Sequence, residues 1–178
     1  MNGRVIERAE YADRLARFGR SAFRLETRRQ YNVPYEREDF AAYLAGNPRS
    51  PWEAPWWAAW LNQIAEMTAA GKTIARVRII EDPPTPYQRW ELSATAAYRQ
   101  VGEDIRWLPR ATAHTIGLPL EYDWWLLDEE QLLTMRYNDA DEVAERTLIT
   151  DPGEIARHCA WRDLAISHAH PAEQIAGR

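Results

Sequence analysis

One cysteine, Cys159, excludes an internal disulfide. Its neighbour His158 would point about 100° away around a helix, too far to draw off the thiol proton, so Cys159 reads as a small buried apolar residue. Only four histidines are present, and His168 and His170, two apart, fall on different helix faces. No paired-cysteine or His-Glu-x-x-His zinc pattern occurs. The eight glycines form no phosphate-cradling loop, with Gly102 and Gly117 standing alone. None of Ser21, Ser50, Ser93 and Ser167 lies in a Gly-x-Ser-x-Gly elbow. The acidic runs Asn138–Glu142 and Asp128–Glu130 lack the central glycine and distal glutamate of a calcium loop and read as turns. No catalytic residue, metal ligand or cofactor is assigned. No apolar run approaches the roughly 20 residues of a membrane span, and the N-terminus lacks a signal-peptide core. A cytoplasmic protein without a membrane partner is expected.

Lysine is also nearly missing: Lys72 is the only one among 22 basic residues. The charge is uneven. Residues 1–29 hold eight arginines against four acids, net +4, which leaves −9 for the remainder of a formal −5. A basic head can contact nucleic acid or an acidic partner. With arginines interleaved with acids and nothing aromatic or Gly-rich beside them, a solvated helix face is expected instead, without direct nucleic-acid binding.

What the chain does have is tryptophan, nine in all, and clear periodicity. Residues 2–19 predict a helix with Ile6, Ala9, Leu15 and Phe18 inward. Ser21–Thr27 alternates with Phe23 and Leu25 on one face, as a short strand would. Glu36–Ala45 predicts a short helix, and Pro55–Gly71 a longer one with Trp57, Trp60, Leu61, Ile64 and Met67 at helical spacing. Lys72–Glu81 is a strand in which Arg76 and Arg78 alternate against Val77 and Ile79. Thr85, Pro86 and Gln88 form a capping-box start for a helix that stops near Gly102. A strand at Asp104–Leu108 follows, so a parallel crossover is expected. Residues 112–117 form a short link. Asp123–Leu127 is apolar on both faces, as in a buried central strand. Gln131–Tyr137 and Glu142–Thr150 complete a three-strand meander. Asp151, Pro152 and Glu154 open a last helix that runs to about Ala169. The fold class is α/β with an α+β tendency: a mixed sheet with a strand–helix–strand crossover, a meander and a C-terminal helix. Residues 1–20 read as a helical appendage, 21–171 as one domain and 172–178 as a tail.

Candidate site residues come from the middle of the chain. Arg89 and Glu91 lie off the apolar face of their helix. Alternation places Asp104 and Arg106 on one strand face, with Arg110 beyond it. A charge on a covered sheet face needs a partner, so Arg106 with Glu91 or Asp104 is either a structural ion-pair cluster or the floor of a polar pocket. Arg89, Glu91, Arg106, Arg110, Trp125 and Asp128 are the candidate ligand-binding set. Trp52, Trp56, Trp57 and Trp60 crowd one helix start, with too many rings for one core face. Trp52, Trp56 and Trp60 are therefore candidates for a partner surface.

The block Gly102–Arg110, then Gly117-Leu118-Pro119, Tyr122–Asp128 and Met135-Arg136-Tyr137, resembles an actinobacterial family carried as domain of unknown function 6879. Phe23–Thr27, Gly71-Lys72, Tyr87–Leu92, Asp151-Pro152 and Trp161-Arg162-Asp163 extend the resemblance to about residues 18–171. Members are often encoded near helix-turn-helix regulators of the xenobiotic-response-element type, which implies a regulatory role. More remotely, the element order and the segment Arg162–Pro171 are similar to phospholipase-D-like effector domains of transcription regulators. That superfamily's chemistry uses a His-x-Lys-x-x-x-x-Asp motif, and no histidine here has lysine two residues later. The resemblance therefore implies a copy without that chemistry.

The expected function is a non-enzymatic regulatory or interaction protein, acting with a helix-turn-helix regulator or binding a small effector. The alternative is a divalent-metal-dependent hydrolase or nuclease with an unfamiliar site, which needs acids from Asp104, Asp123, Asp128 or Glu91 to converge.

Overall fold

The computed structural model describes residues 3–175. Its strands are β1 (Arg4–Val5), β2 (Ser21–Glu26), β3 (Thr73–Ile80), β4 (Asp104–Pro109), β5 (Asp123–Leu127), β6 (Gln131–Tyr137) and β7 (Val143–Ile149). They form one mixed sheet in the order β1-β7-β6-β5-β2-β3-β4. β2, β3 and β4 are parallel, and the remaining pairs are antiparallel. The helices are α1 (Arg8–Arg17), α2 (Arg37–Leu44), α3 (Pro55–Ala69), α4 (Pro86–Ser93), α5 (Thr95–Gln100), α6 (Arg110–Thr115), α7 (Pro152–His168) and α8 (Ala172–Ile175). The predicted α/β class, crossover, meander and C-terminal helix are all present.

Strand alternation sorts the core into two layers. Phe23, Leu25, Val77, Ile79, Trp124 and Leu126 face α6 and α7. Ala22, Ile74, Ile105, Trp125, Leu127 and Leu133 face α1, α3, α4 and α5. Both parallel crossovers therefore run over the second face. β5 is buried throughout because it lies between β2 and β6.

The helix starts follow from their caps. Thr85 and Gln88 form the expected capping box, each backbone N–H donating to the other's side chain at 3.1 Å. Asp151 Oδ1 accepts from the Glu154 N–H at 2.9 Å.

Several segments differ from the sequence reading. The N-terminal helix begins only at Arg8, because residues 4–5 pair with β7 and the Ile6 N–H donates to the Arg146 carbonyl at 2.9 Å. Ile6 is buried and Tyr11 and Leu15 pack on the core, so residues 3–20 are built into the domain rather than appended to it. The helix expected to run from 86 to 102 breaks at Ala94. There the Ser93 hydroxyl donates to the Trp90 carbonyl at 2.6 Å, and Thr95 Oγ1 accepts from Trp107 Nε1 at 3.3 Å. The 112–117 link is the end of a helix that starts straight after β4. Of the expected tail, 172–175 form a helical turn whose Ile175 packs against Ile80 and Trp107; 176–178 lie outside the described residues.

Candidate functional site

The register of β2 against β3 sets Arg24 beside Arg76 and Glu26 beside Arg78. All four point away from the α6–α7 layer, toward the crossover helices. The sequence alternation had given Arg76 and Arg78 a face of their own, and that face is covered: Glu26, Arg76 and Arg78 are 4, 3 and 5% exposed.

Burying such charges is costly unless each is paired, and Glu26 is the hub of the pairing. It contacts Arg24 at 2.9 Å, Arg76 at 3.2 Å and also Arg78. Burial alone would raise the Glu26 carboxyl, but the three guanidiniums hold it down at about 2. Arg76 Nε reaches Glu103 at 2.8 Å, Arg78 reaches Glu91, and Arg24 lies 3.5 Å from Asp123. Fully buried Asp123 also accepts from the Thr27 N–H and hydroxyl, Tyr31 Oη and Tyr137 Oη, at 2.7–2.9 Å. Burial still lifts its carboxyl above the ordinary aspartate value, against the pull of Arg24.

Above this floor the helices leave a cavity of about 460 Å³. Its walls are aromatic: Tyr31 and Tyr35, Trp56 and Trp60 of α3, Tyr87 of α4, and Tyr98 of α5, with Trp125 and Tyr137 from the sheet. A surface opening between α1, residues 32–35 and α3 shares Tyr11, Leu15, Tyr35 and Trp60 with it. Residues 27–36 form a strap across the strand ends, clasped to the β6–β7 turn. Arg28 pairs with Asp141, Gln30 Nε2 donates to Asp141 Oδ2 at 2.9 Å, and the Asn32 N–H donates to the Asp141 carbonyl at 3.0 Å. At the end of the strap Glu36 Oε2 accepts from Tyr87 Oη at 2.6 Å. Burial raises the Glu36 carboxyl to about 7. Tyr31, Tyr87 and Tyr137 are pushed upward by burial as well, so their hydroxyls stay protonated and donate.

Arg24 Nε and Arg76 Nη2 are sealed beneath the cavity floor without a hydrogen-bond acceptor, and the Trp125 indole is directed at Tyr11. The Arg24 guanidinium lies over the Trp125 ring at 5.4 Å and Arg76 over Tyr98 at 5.3 Å.

The structure brings Glu91, Trp125, Trp56 and Trp60 together at this cavity and leaves the other candidates elsewhere. Arg89 donates to the Pro84 carbonyl and lines a separate groove of about 620 Å³ beside α8. Arg106 pairs with Asp104 on the surface at 3.0 Å, and Glu91 pairs with Arg78 instead. Arg110 pairs with Glu81 and lines an outer pocket with Arg28 and Arg29. Asp128 sits in the β5–β6 turn, where its carboxylate accepts from the backbone N–H groups of Gly19, Arg20 and Ser21 at 2.6–2.9 Å. The tryptophan crowding resolves by direction. Trp57 enters the core, Trp56 stacks on it at 4.9 Å while donating to Asp39 at 2.7 Å, and Trp52 remains 43% exposed.

The acids required by the hydrolase alternative are dispersed or bound to other partners. Among the described residues no group of three or more His, Cys, Asp or Glu is placed to hold a metal ion. Seven of the eight arginines of the basic head form ion pairs, Arg4 and Arg14 with Glu10 and Arg17 with Asp13 among them. On the opposite sheet face, His158 is fully buried, within 3.2 Å of Tyr122 Oη and 2.7 Å of the Glu154 carbonyl. Burial lowers its pKa.

The chain is a member of a family whose description is a domain of unknown function, DUF6879, with residues 9–176 matched. Among solved structures it is similar to NucT from Helicobacter pylori, with a TM-score of 0.52 and 11% identity over 96% of this chain and 97% of that one. At this identity the likeness is one of fold alone. No curated protein matches the chain. No helix among the described residues is long and apolar enough to cross a membrane.

Proposed function

We propose that this protein is a non-enzymatic regulatory domain that binds a small effector in the cavity over β2 and β3. The observation that carries this reading is a partly open aromatic chamber of about 460 Å³ set over the buried charges of β2 and β3. The chamber lies within the roughly 300–1,000 Å³ typical of ligand sites.

The readout would run through the segment that roofs the chamber. Tyr35 of the strap is exposed there, and Leu44 and Trp52, in the stretch that leads from the strap to α3, are large exposed apolar side chains as well. A helix-turn-helix regulator, the partner class implied by the family resemblance, would dock there. Thermal-shift screening of the full chain with a diverse fragment library tests the effector reading. Ligands should raise the melting temperature, and Leu15→Trp, which plugs the opening, should abolish the response. A library that shifts neither protein rejects it.

One observation keeps the hydrolytic reading in view. Glu36, titrating at about 7 beside the chamber, is suited to proton transfer near neutrality. Turnover of an activated ester or phosphodiester that is lost in Glu36→Gln would favour that reading.

A further inference from the structure

The opening of the chamber holds two guanidiniums that no carboxylate pairs with among the described residues. We infer that the effector is an amphipathic organic anion. Its acid group, a carboxylate or a phosphate, lies against Arg146 and Arg8 at the opening, and its apolar body lies among the aromatic walls. This rests on the effector reading above and adds the ligand's charge and orientation.

Arg146 stands on β7 opposite Met135, on the sheet face that the crossover helices cover. It lines both the chamber and its surface opening. Its guanidinium lies over the Tyr11 ring at 5.5 Å. Its Nε is sealed, but the side chain as a whole is only half-buried, so a ligand would meet the terminal amino groups. Arg8, the first residue of α1, is exposed on the rim of the same opening. Every other arginine of residues 3–29 is in an ion pair. Glu142 is the one carboxylate lining the opening, and the side-chain amides of Asn32 and Asn138 donate to it at 3.2 and 3.5 Å. Two guanidiniums against one amide-held carboxylate favour an anion there.

The floor receives an acid group poorly. Arg24, Arg76 and Arg78 are already paired there, through Glu26, Asp123, Glu103 and Glu91. An anion pressed onto the floor would meet Glu26 and Glu91, which line the chamber, with little water to screen them. At the opening it meets unpaired cations and keeps part of its hydration. That contrast sets the orientation, acid group outward and body inward.

Between the two ends the passage is apolar. Leu15, Val33 and Val143, with Tyr35 and Trp60, line the opening and the chamber alike. Farther in, Tyr31 packs edge-on against Tyr87 at 6.0 Å and against Tyr137 at 5.4 Å, and Trp56 is fixed by its stack on Trp57. A ring-sized apolar body leaves water on entering and covers these faces.

Calorimetry and intrinsic tryptophan fluorescence on the full chain near neutral pH, with four probes, test the inference. The probes are 2-naphthoate, 2-naphthyl phosphate, the neutral 2-naphthamide, and acetate, which has the charge without the body. The tighter of the two naphthyl anions should bind about tenfold or more tightly than 2-naphthamide, and acetate should bind at least about tenfold more weakly than that anion. Which anion is the tighter names the acid group. The preference for anion over amide should shrink as ionic strength rises. Arg146→Gln should weaken the anion by about tenfold and the amide by much less, so that the preference falls. A merely structural loss would weaken both probes alike. Arg8 is exposed, so Arg8→Gln should fold normally and lower the preference in the same direction, which keeps the test decisive if Arg146→Gln does not fold. If 2-naphthamide binds as tightly as both anions, or neither variant changes the preference, the class is wrong while the effector cavity stands. Acetate binding as tightly as the naphthyl anions reduces the opening to a surface contact and overturns the class as well. If no probe binds, the class is overturned, and the fragment screen separately decides whether the cavity takes any effector.

Discussion

Glu26 holds three guanidiniums together, and its replacement has a definite consequence. Glu26→Ala would leave Arg78 with Glu91, Arg76 with Glu103 and Arg24 with a distant Asp123, packed close with no central counter-charge. Removing one partner from a buried ion network costs about 3–5 kcal/mol, and urea unfolding should show a loss of that size. Glu36 behaves oppositely. An acid whose pKa rises on folding holds its proton more tightly when folded. The associated stability is complete below its ordinary value of 4.5 and drains away as pH climbs to about 7. Glu36→Gln keeps an acceptor for Tyr87 Oη and cannot ionise. It should match the parent near pH 4.5 and exceed it by about 1–2 kcal/mol above pH 7, after allowance for partial exposure. Melting curves across that range check the sign. The sequence held the alternation of Arg76 and Arg78 and the Arg24-x-Glu26 pattern, yet concealed their role. A charged residue on a strand face reads as solvent-facing until it is known what covers that face. The candidates that did reach the cavity, Glu91, Trp125, Trp56 and Trp60, were found through helix and strand periodicity. Arg106 and Arg110 were not brought there because each met a nearer acid, Asp104 and Glu81.

At the level of elements, what could be read tracks local signals. α4 and α7 begin where their caps predicted, because a cap is a contact within four residues. The strands of the meander end close to their turns for the same reason. β1 has no such signal: two residues cannot show a period, and only pairing with β7 makes them a strand. The break between α4 and α5 was hidden too, since its cause includes Trp107, a contact distant in sequence. β1 owes its fit to Gly3. A Cβ there would lie 2.4 Å from Thr147 Cγ2 and 2.9 Å from the Leu148 carbonyl oxygen. Gly3→Ala should therefore lift β1 from its neighbour, with faster amide hydrogen exchange at Ile6 and exchange in β5 unchanged. Equal protection at Ile6 would count against so tight a fit.

Over the whole molecule, the architecture places its polar centre where two parallel crossovers and a meander meet, at β2 between β3 and β5. Both crossovers lie on one face, so the roof is assembled from segments far apart in sequence: α1, the strap, α3 and α4. That explains why the α/β class was legible while the chamber was not. Strand order decides which charges meet, and no local pattern encodes strand order. The sheet's two margins are treated alike. β1 lies along β7, and at the far side His170 exchanges two backbone hydrogen bonds of 2.8 Å with Trp107 of β4. The first and last described stretches thus cover the two borders of the sheet. Unpaired strand borders recruit other chains. A protein trimmed of residues 1–7 and 169–178 would keep its chamber-forming elements but expose both borders, and light scattering should then report self-association that the intact chain resists. What look like disposable ends are, in this molecule, a colloidal safeguard.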